Sequence, residues 1–196
     1  MKIGLVAFDD FTDIDLILHW DLLNRVKQYK LHPDWQVQIL GTKKSHLSVN
    51  GLEIATSGPV DLVAECDAVL VTSGIGTRKL LQDADFLRRM KVNPERQLLA
   101  AQCSGSLVFG ELGLLQGVRV SAYPPIAELL KNYGAELVAE AFVKHGKLAT
   151  ASSCLAGQYL SNWIIETLAG QDAANKVMDS VRPLGLQPFV YSTGPS

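Results

Sequence analysis

At 196 residues the chain has the length of one domain, and folding at that size buries roughly 70% of the unfolded surface, so the core needs no staples. Apolar residues make up 47% and charged residues 19%, the balance of a globular protein rather than a disordered or fibrous one. With a net charge of −2 and no basic run longer than Lys43-Lys44 or Arg88-Arg89, a nucleic-acid footprint is not expected.

Cys66, Cys103 and Cys154 are odd in number and widely spaced, which is no disulfide framework. No apolar run approaches the ~18 residues of a membrane span. The first residues lack the charged and apolar regions of a signal peptide. The expectation is a single domain over residues 1–196, with 181–196 as a tail, in the reducing cytoplasm and with no membrane or nucleic-acid partner.

In chain order, residues 2–8 read as a buried strand. Residues 12–29 read as a helix, with Ile14, Leu18, Leu22, Val26 and Tyr29 at helical spacing. Residues 35–41 alternate as a second strand. Asn50-Gly51 between Leu47-Ser48-Val49 and Leu52-Glu53-Ile54 signals a hairpin, since both turn residues tolerate positive φ. Residues 68–72 are a buried strand, 77–92 a helix, 98–102 a strand, 107–115 a helix, 118–120 a short strand and 126–133 a helix. A second hairpin pairs 141–144 with 148–150 through His145-Gly146. Helices follow at 153–169, interrupted early by Gly157, and at 171–180. Beyond Arg182 a tail rich in proline and glycine reads as a surface loop.

Strands alternating with helices predict an α/β, flavodoxin-like three-layer sandwich: a mostly parallel sheet, helices on both faces and right-handed crossovers. Sites in such sheets lie at the carboxyl ends of the strands. That selects the loops 9–15, 73–78, 103–105 and 151–157.

One of these loops carries a chemical pattern. The buried run Leu98-Leu99-Ala100-Ala101-Gln102 meets Cys103-Ser104-Gly105, and a helix begins at once. This is the cysteine form of a nucleophile elbow, with Ala101 where the usual pattern has its first glycine. The N–H groups that open the following helix favour thiolate over thiol, so a depressed Cys103 pKa is expected. The same groups can stabilise an anion forming on a substrate. A lone cysteine is otherwise most often an inert core residue.

The segment Ala101-Gln102-Cys103-Ser104-Gly105-Ser106-Leu107-Val108-Phe109-Gly110, continued by Gly113-Leu114-Leu115-Gln116-Gly117, resembles the ThiJ/PfpI family of the class I glutamine-amidotransferase-like superfamily. The nearest subgroup is the isonitrile-hydratase-like one. Phe8 to Leu16, Val71 to Gly76 and His145 to Gly157 fit the same family in order, so the resemblance covers residues 1–170. It implies Cys103 as nucleophile and Asp15 as an acid/base held against the sulfur, often protonated. It also implies backbone N–H donors at Gly74 and Ser104, no cofactor or metal, and a homodimer. Gly105, Ile75, Tyr123 and Cys154 follow as pocket residues. Asp9, Asp10 and Asp13 read as a solvated, helix-capping acidic turn.

Departures from the family pattern locate what is particular to this chain. Thr72-Ser73-Gly74 stands where the family has Pro-Gly-Gly, and Asp15 is followed by Leu16-Ile17-Leu18-His19 rather than Leu-Thr-Gly-Pro. Gly74-Ile75-Gly76 lacks the third glycine of a dinucleotide fingerprint. None of His19, His32, His46 and His145 falls where a triad base belongs, so a Cys-His hydrolase is not favoured. Tyr123 either lines the pocket or packs in the core. Cys154 is either a thiol facing Cys103, able to form a disulfide, or a small apolar replacement; Cys66 reads as inert. The implied function is a cofactor-free, cysteine-dependent hydratase or lyase of a small electrophile such as an isonitrile, giving an N-substituted formamide. The alternatives are a glyoxal- or peroxide-responsive stress protein using the same cysteine, or a ligand-binding member that is no enzyme.

Overall fold

The computed structural model describes residues 1–185, the Pro124 side chain excepted; most of the expected tail loop lies outside the described residues. In chain order the elements are β1 (Lys2–Val6), α1 (Asp13–Gln28), β2 (Gln36–Gly41), the hairpin β3 (Ser45–Leu47) and β4 (Glu53–Ala55), β5 (Gly58–Pro59), β6 (Ala68–Val71), α2 (Thr77–Leu80) and α3 (Ala84–Arg89). They continue with β7 (Leu98–Gln102), α4 (Ser106–Glu111), β8 (Arg119–Ser121), α5 (Pro124–Lys131), β9 (Glu136–Val138), the hairpin β10 (Phe142–His145) and β11 (Leu148–Ala151), α6 (Gly157–Ala169) and α7 (Gln171–Asp179).

Seven strands form the main sheet in the order β10-β11-β7-β6-β1-β2-β5. Every pairing is parallel except β10 with β11. The central strands are continuous apolar runs because both faces are covered; Leu5, Val6, Leu70, Val71, Leu99, Ala100 and Ala101 are fully buried. The chain crosses the sheet in one direction from β1 to β2 and in the other from β6 to β7. Right-handed crossovers therefore set α1 and α3 on opposite faces, and the order reverses between β1 and β6. Register aligns Val6 with Val71 and Val71 with Ala101, so the ends of β1, β6 and β7 open at one edge, where such sheets bind ligands.

Several expected elements differ. The helix expected over 77–92 is two short helices, because the Asp83 carboxylate accepts from the N–H groups of Asp85 and Phe86, both at 3.0 Å, and starts α3 afresh. The helix expected to reach Leu115 ends at Glu111, with Gly113 at φ 73° just beyond it. Asn50-Gly51 lies in a five-residue loop rather than a two-residue turn, since Leu47 pairs with Glu53 and the Ser48 hydroxyl collects the N–H groups of Asn50 and Leu52. Strand β9, which pairs with β8 in a separate parallel sheet, and the short β5 were not foreseen. Among the described residues no helix is long and apolar enough to cross a membrane.

One glycine seats the turn after β7 on its neighbour. A Cβ at Gly105 would stand 2.5 Å from the Thr72 carbonyl oxygen and 2.6 Å from that of Val71, both rigid backbone at the end of β6. Gly105→Ala is expected to destabilise the fold by about 1–3 kcal/mol, read as a lower urea midpoint at unchanged slope. An unchanged midpoint would show that the turn is not clamped there.

Candidate active site

Strand β7 delivers Cys103 into the bend with φ 47°, in the left-handed region that non-glycine residues seldom occupy. A single 3₁₀ turn, Cys103–Gly105, leads straight into α4. The Ser106 hydroxyl donates to the Cys103 carbonyl at 2.7 Å and holds the bend from behind. Cys103 is half-buried with a free thiol. This is the expected elbow.

Asp15 sits in the first turn of α1 and is wholly buried. The Ser73 hydroxyl, on the loop that leaves β6, donates to Asp15 Oδ2. The same hydroxyl lies beside the Cys103 sulfur and favours its thiolate, as the neighbouring Cys154 thiol favours the Asp15 anion, while Asp15 Oδ1 is buried with no hydrogen-bond partner among the described residues. Ser73 thus stands between acid and sulfur, a place the sequence reading left empty. The loop departure at Ser73 was visible, but its partner is on an element 58 residues away.

Of the two backbone donors expected at the site, the Ser104 N–H lies where it favours the Cys103 thiolate. The Gly74 N–H instead donates to the Ser104 hydroxyl at 3.3 Å. The Gly74 N–H thus has a side-chain partner within the site. The Ser104 hydroxyl is held over Gly74 by Thr77 Oγ1 at 3.0 Å, while Thr77 Oγ1 donates to the Gly74 carbonyl at 2.9 Å.

A cavity of about 500 Å³ opens over the sulfur and is lined by Cys103, Ser73, Gly74, Ser104 and Cys154. Ile75 and Tyr123 line it as well and are 75% and 49% exposed, which decides the Tyr123 alternative in favour of the pocket. Gly105 lies beneath, buried. Sequence reasoning missed Thr77, Arg78, Leu107 and Ile126 as lining residues.

The remaining ionisable groups fall away from the chemistry. His19 is buried, its Nδ1 is 2.8 Å from the Ser161 hydroxyl, and burial pushes it down to about 4, so it stays neutral. His46 pairs through Nδ1 with Asp9 at 3.0 Å, and His145 is exposed on β10. Asp9 and Asp10 bind Lys43 and Lys79, and Asp13 accepts from Ser48 and Asn50 across to the β3–β4 loop. Cys66 is buried, and burial pushes its thiol up to about 11, as an inert thiol requires.

The model of the DJ-1/PfpI family matches residues 1–167. The chain belongs to the DJ-1/PfpI family. It is 27% identical over 192 residues to an isonitrile hydratase of Pseudomonas putida, covering 96% of this chain and 81% of that one. Its fold is similar to that of a ThiJ/PfpI family protein from Pseudomonas syringae, with a TM-score of 0.80, 20% identity, and 96% of this chain and 77% of that one covered. It is also similar to a two-domain protein from Anabaena variabilis with DJ-1/ThiJ/PfpI-like and ferritin-like domains, with a TM-score of 0.78 and 22% identity. There 91% of this chain is covered and only 54% of that one.

Within this DJ-1/PfpI site the electrostatics depart from expectation. Burial pushes the Asp15 carboxyl up, against the Ser73 and Cys154 hydrogen bonds that favour the anion. Burial also raises the Cys103 thiol, and the Asp15 charge raises it further; the Ser104 N–H and the Ser73 hydroxyl pull the other way and are outweighed. The expected depressed thiol is thus corrected, because the pocket walls that desolvate Cys103 come from distant parts of the chain. The Cys154 thiol is pushed up to about 12 by burial and by its bond to Asp15.

The signs give a test. Alkylation of Cys103 by iodoacetamide should have its midpoint above the ordinary thiol value of about 8.5. Ser73→Ala, which removes a hydroxyl that favours the thiolate, should move it up; Asp15→Asn, which removes a repelling charge, should move it down. A midpoint near pH 6 in the wild type, or the opposite order of the variants, would contradict this account.

Proposed function

We propose that the protein is a cofactor-free hydratase of small electrophiles, with Cys103 as nucleophile and Asp15 as proton store, and that an organic isonitrile is its substrate type. One observation carries this reading: a single hydroxyl, Ser73, donates to the buried Asp15 carboxyl and lines the same cavity as the Cys103 sulfur. The similarity to an isonitrile hydratase supports the choice of electrophile.

The steps follow from that chain. At rest the proton is on sulfur, since both groups are raised and the thiol is the weaker acid. As sulfur bonds to the terminal carbon of R–N≡C, its proton passes to Ser73 and the Ser73 proton to Asp15. The carbon becomes basic and takes a proton back through Ser73, leaving Cys103–S–CH=N–R. Water then adds to the C=N carbon, and collapse expels the sulfur and releases R–NH–CHO. One proton of that water goes to nitrogen; the hydroxyl proton lost on collapse passes through Asp15 and Ser73 to the departing sulfur, which the Ser104 N–H faces, and restores the thiol. The net change is addition of one water. Proton relays of this kind contribute typically 10²–10⁴ in rate.

The peroxide-responsive reading ranks second, on the shared wall of Cys103 and Cys154. A Cys154 thiol at about 12 is a poor resolving nucleophile, which holds it there. We also propose a homodimer. Ile14, Ile17, Leu47, Val49 and Leu52 are exposed apolar side chains on α1 and the β3–β4 hairpin. These two elements are joined by the Ser48–Asp13 bond at 2.6 Å, so they present one surface to a second copy. The three free thiols suit a cytoplasmic setting.

Wild-type protein should convert a simple alkyl isonitrile to its formamide. Cys103→Ala should abolish turnover, and Asp15→Asn and Ser73→Ala should each lower kcat by about 10²-fold or more. Formamide production that survives Cys103→Ala, or no turnover by the wild type, would sink the reading. Light scattering at micromolar concentration should give twice the 21.3 kDa chain mass, and Ile17→Asp with Leu47→Asp should halve it; a wild-type monomer would refute the dimer.

A further inference from the structure

The charge at the pocket mouth selects a substrate class. Seven arginines lie among the described residues. Arg25, Arg88, Arg89, Arg119 and Arg182 pair with carboxylates, and Arg96 donates to the Ala64 and Cys66 carbonyls. Arg78 alone has no hydrogen-bond or ion-pair partner among the described residues. It is exposed, and it lines the cavity over Cys103. Its neighbour Lys79 points instead to Asp10 at 2.9 Å.

Among the described residues no other charged side chain lines that cavity. Asp15 lies behind Ser73 and outside the lining, and Cys103 and Cys154 are thiols held protonated by burial. The wall is otherwise largely apolar, through Ile75, Leu107, Tyr123 and Ile126. A volume of about 500 Å³ holds far more than an isonitrile group or a carbonyl, so most of it must meet the substrate's body. An unpaired guanidinium beside such a body is a planar fork of donors suited to a carboxylate.

We infer that Arg78 makes this pocket a site for carboxylate-bearing electrophiles, the apolar body lying on Tyr123 and Ile126 and the carboxylate on the guanidinium. The inference rests on Cys103 being the site's nucleophile, but not on isonitriles being its electrophile.

The test uses 4-maleimidobutanoate and its methyl ester, which differ only in the charge of the remote end. In each case the Cys103 sulfur adds to the ring double bond, the adjacent carbon takes a proton from water, and nothing leaves. The ratio of second-order rates, acid over ester, is measured at Cys103 by mass spectrometry and divided by the same ratio for free glutathione. The wild type should favour the acid about tenfold, the scale of a charged hydrogen bond. Arg78→Gln should reduce that preference to the glutathione value, Arg78→Lys should keep part of it, and added salt should weaken it. A wild-type ratio equal to that of glutathione, or a preference that survives in Arg78→Gln, would overturn the inference.

The same comparison with a carboxyalkyl isonitrile and its ester separates the two readings. An acid preference in labelling, with neither isonitrile turned over, removes the hydratase and keeps the anion site. Turnover of both isonitriles at equal kcat/KM, with equal labelling, keeps the hydratase and removes the anion site.

Discussion

The site depends on a contact between two backbones. Gly105 lets the turn after β7 lie against the last carbonyls of β6, and no side chain fits between them. This fixes Cys103 at a left-handed φ, a conformation that costs of order 1–3 kcal/mol and persists only where the surroundings enforce it. The contact also decides which loop meets the sulfur. Residues that leave β6 must pass over the elbow, so Ser73, Gly74 and Thr77 become its neighbours. The reversal of strand order between β1 and β6 then brings the first turn of α1 to the same place, with Asp15 on it.

Once together, these groups share protons in a dry environment. Burial raises both acids, so the sulfur keeps its proton at rest and Asp15 stands beside it as the acceptor. The hydroxyl between them can donate in either direction, which makes the location of the proton responsive to what binds above the sulfur. A permanently ionised thiolate would be more open to oxidation; a shielded thiol with a nearby acceptor becomes nucleophilic as it reacts.

The fold was legible wherever the signal was local. The run 98–102 followed by Cys-Ser-Gly showed strand, bend and helix in consecutive residues, and β7 and the elbow lie there. The β10–β11 hairpin was legible from its turn, and α1 from its spacing. What escaped was set by single side chains or by distant partners. Asp83 restarts a helix with its own carboxylate, and β9 exists only because β8 lies beside it. Asp15 was found through family resemblance, since four acids in seven residues look alike until one of them is buried. Ser73 could be noticed as a departure but not assigned, because the carboxyl it bonds belongs to another element. The Cys103 thiol was misjudged for the same kind of reason: helix N–H groups are visible in sequence order, and desolvation is not.

The small β8–β9 sheet has a consequence for how such a pocket changes over time. The residues between its strands, including Tyr123 and Ile126, line one side of the cavity. They are fastened to the rest through the Ser121 N–H, which donates to Thr150 Oγ1 at 2.8 Å, and the Arg119–Glu140 pair at 3.0 Å. The reacting groups, by contrast, are rooted in the main sheet and in α1. Drift within this short segment can therefore reshape what the pocket accepts while Cys103, Ser73 and Asp15 keep their places, so that the cavity is retailored along one wall.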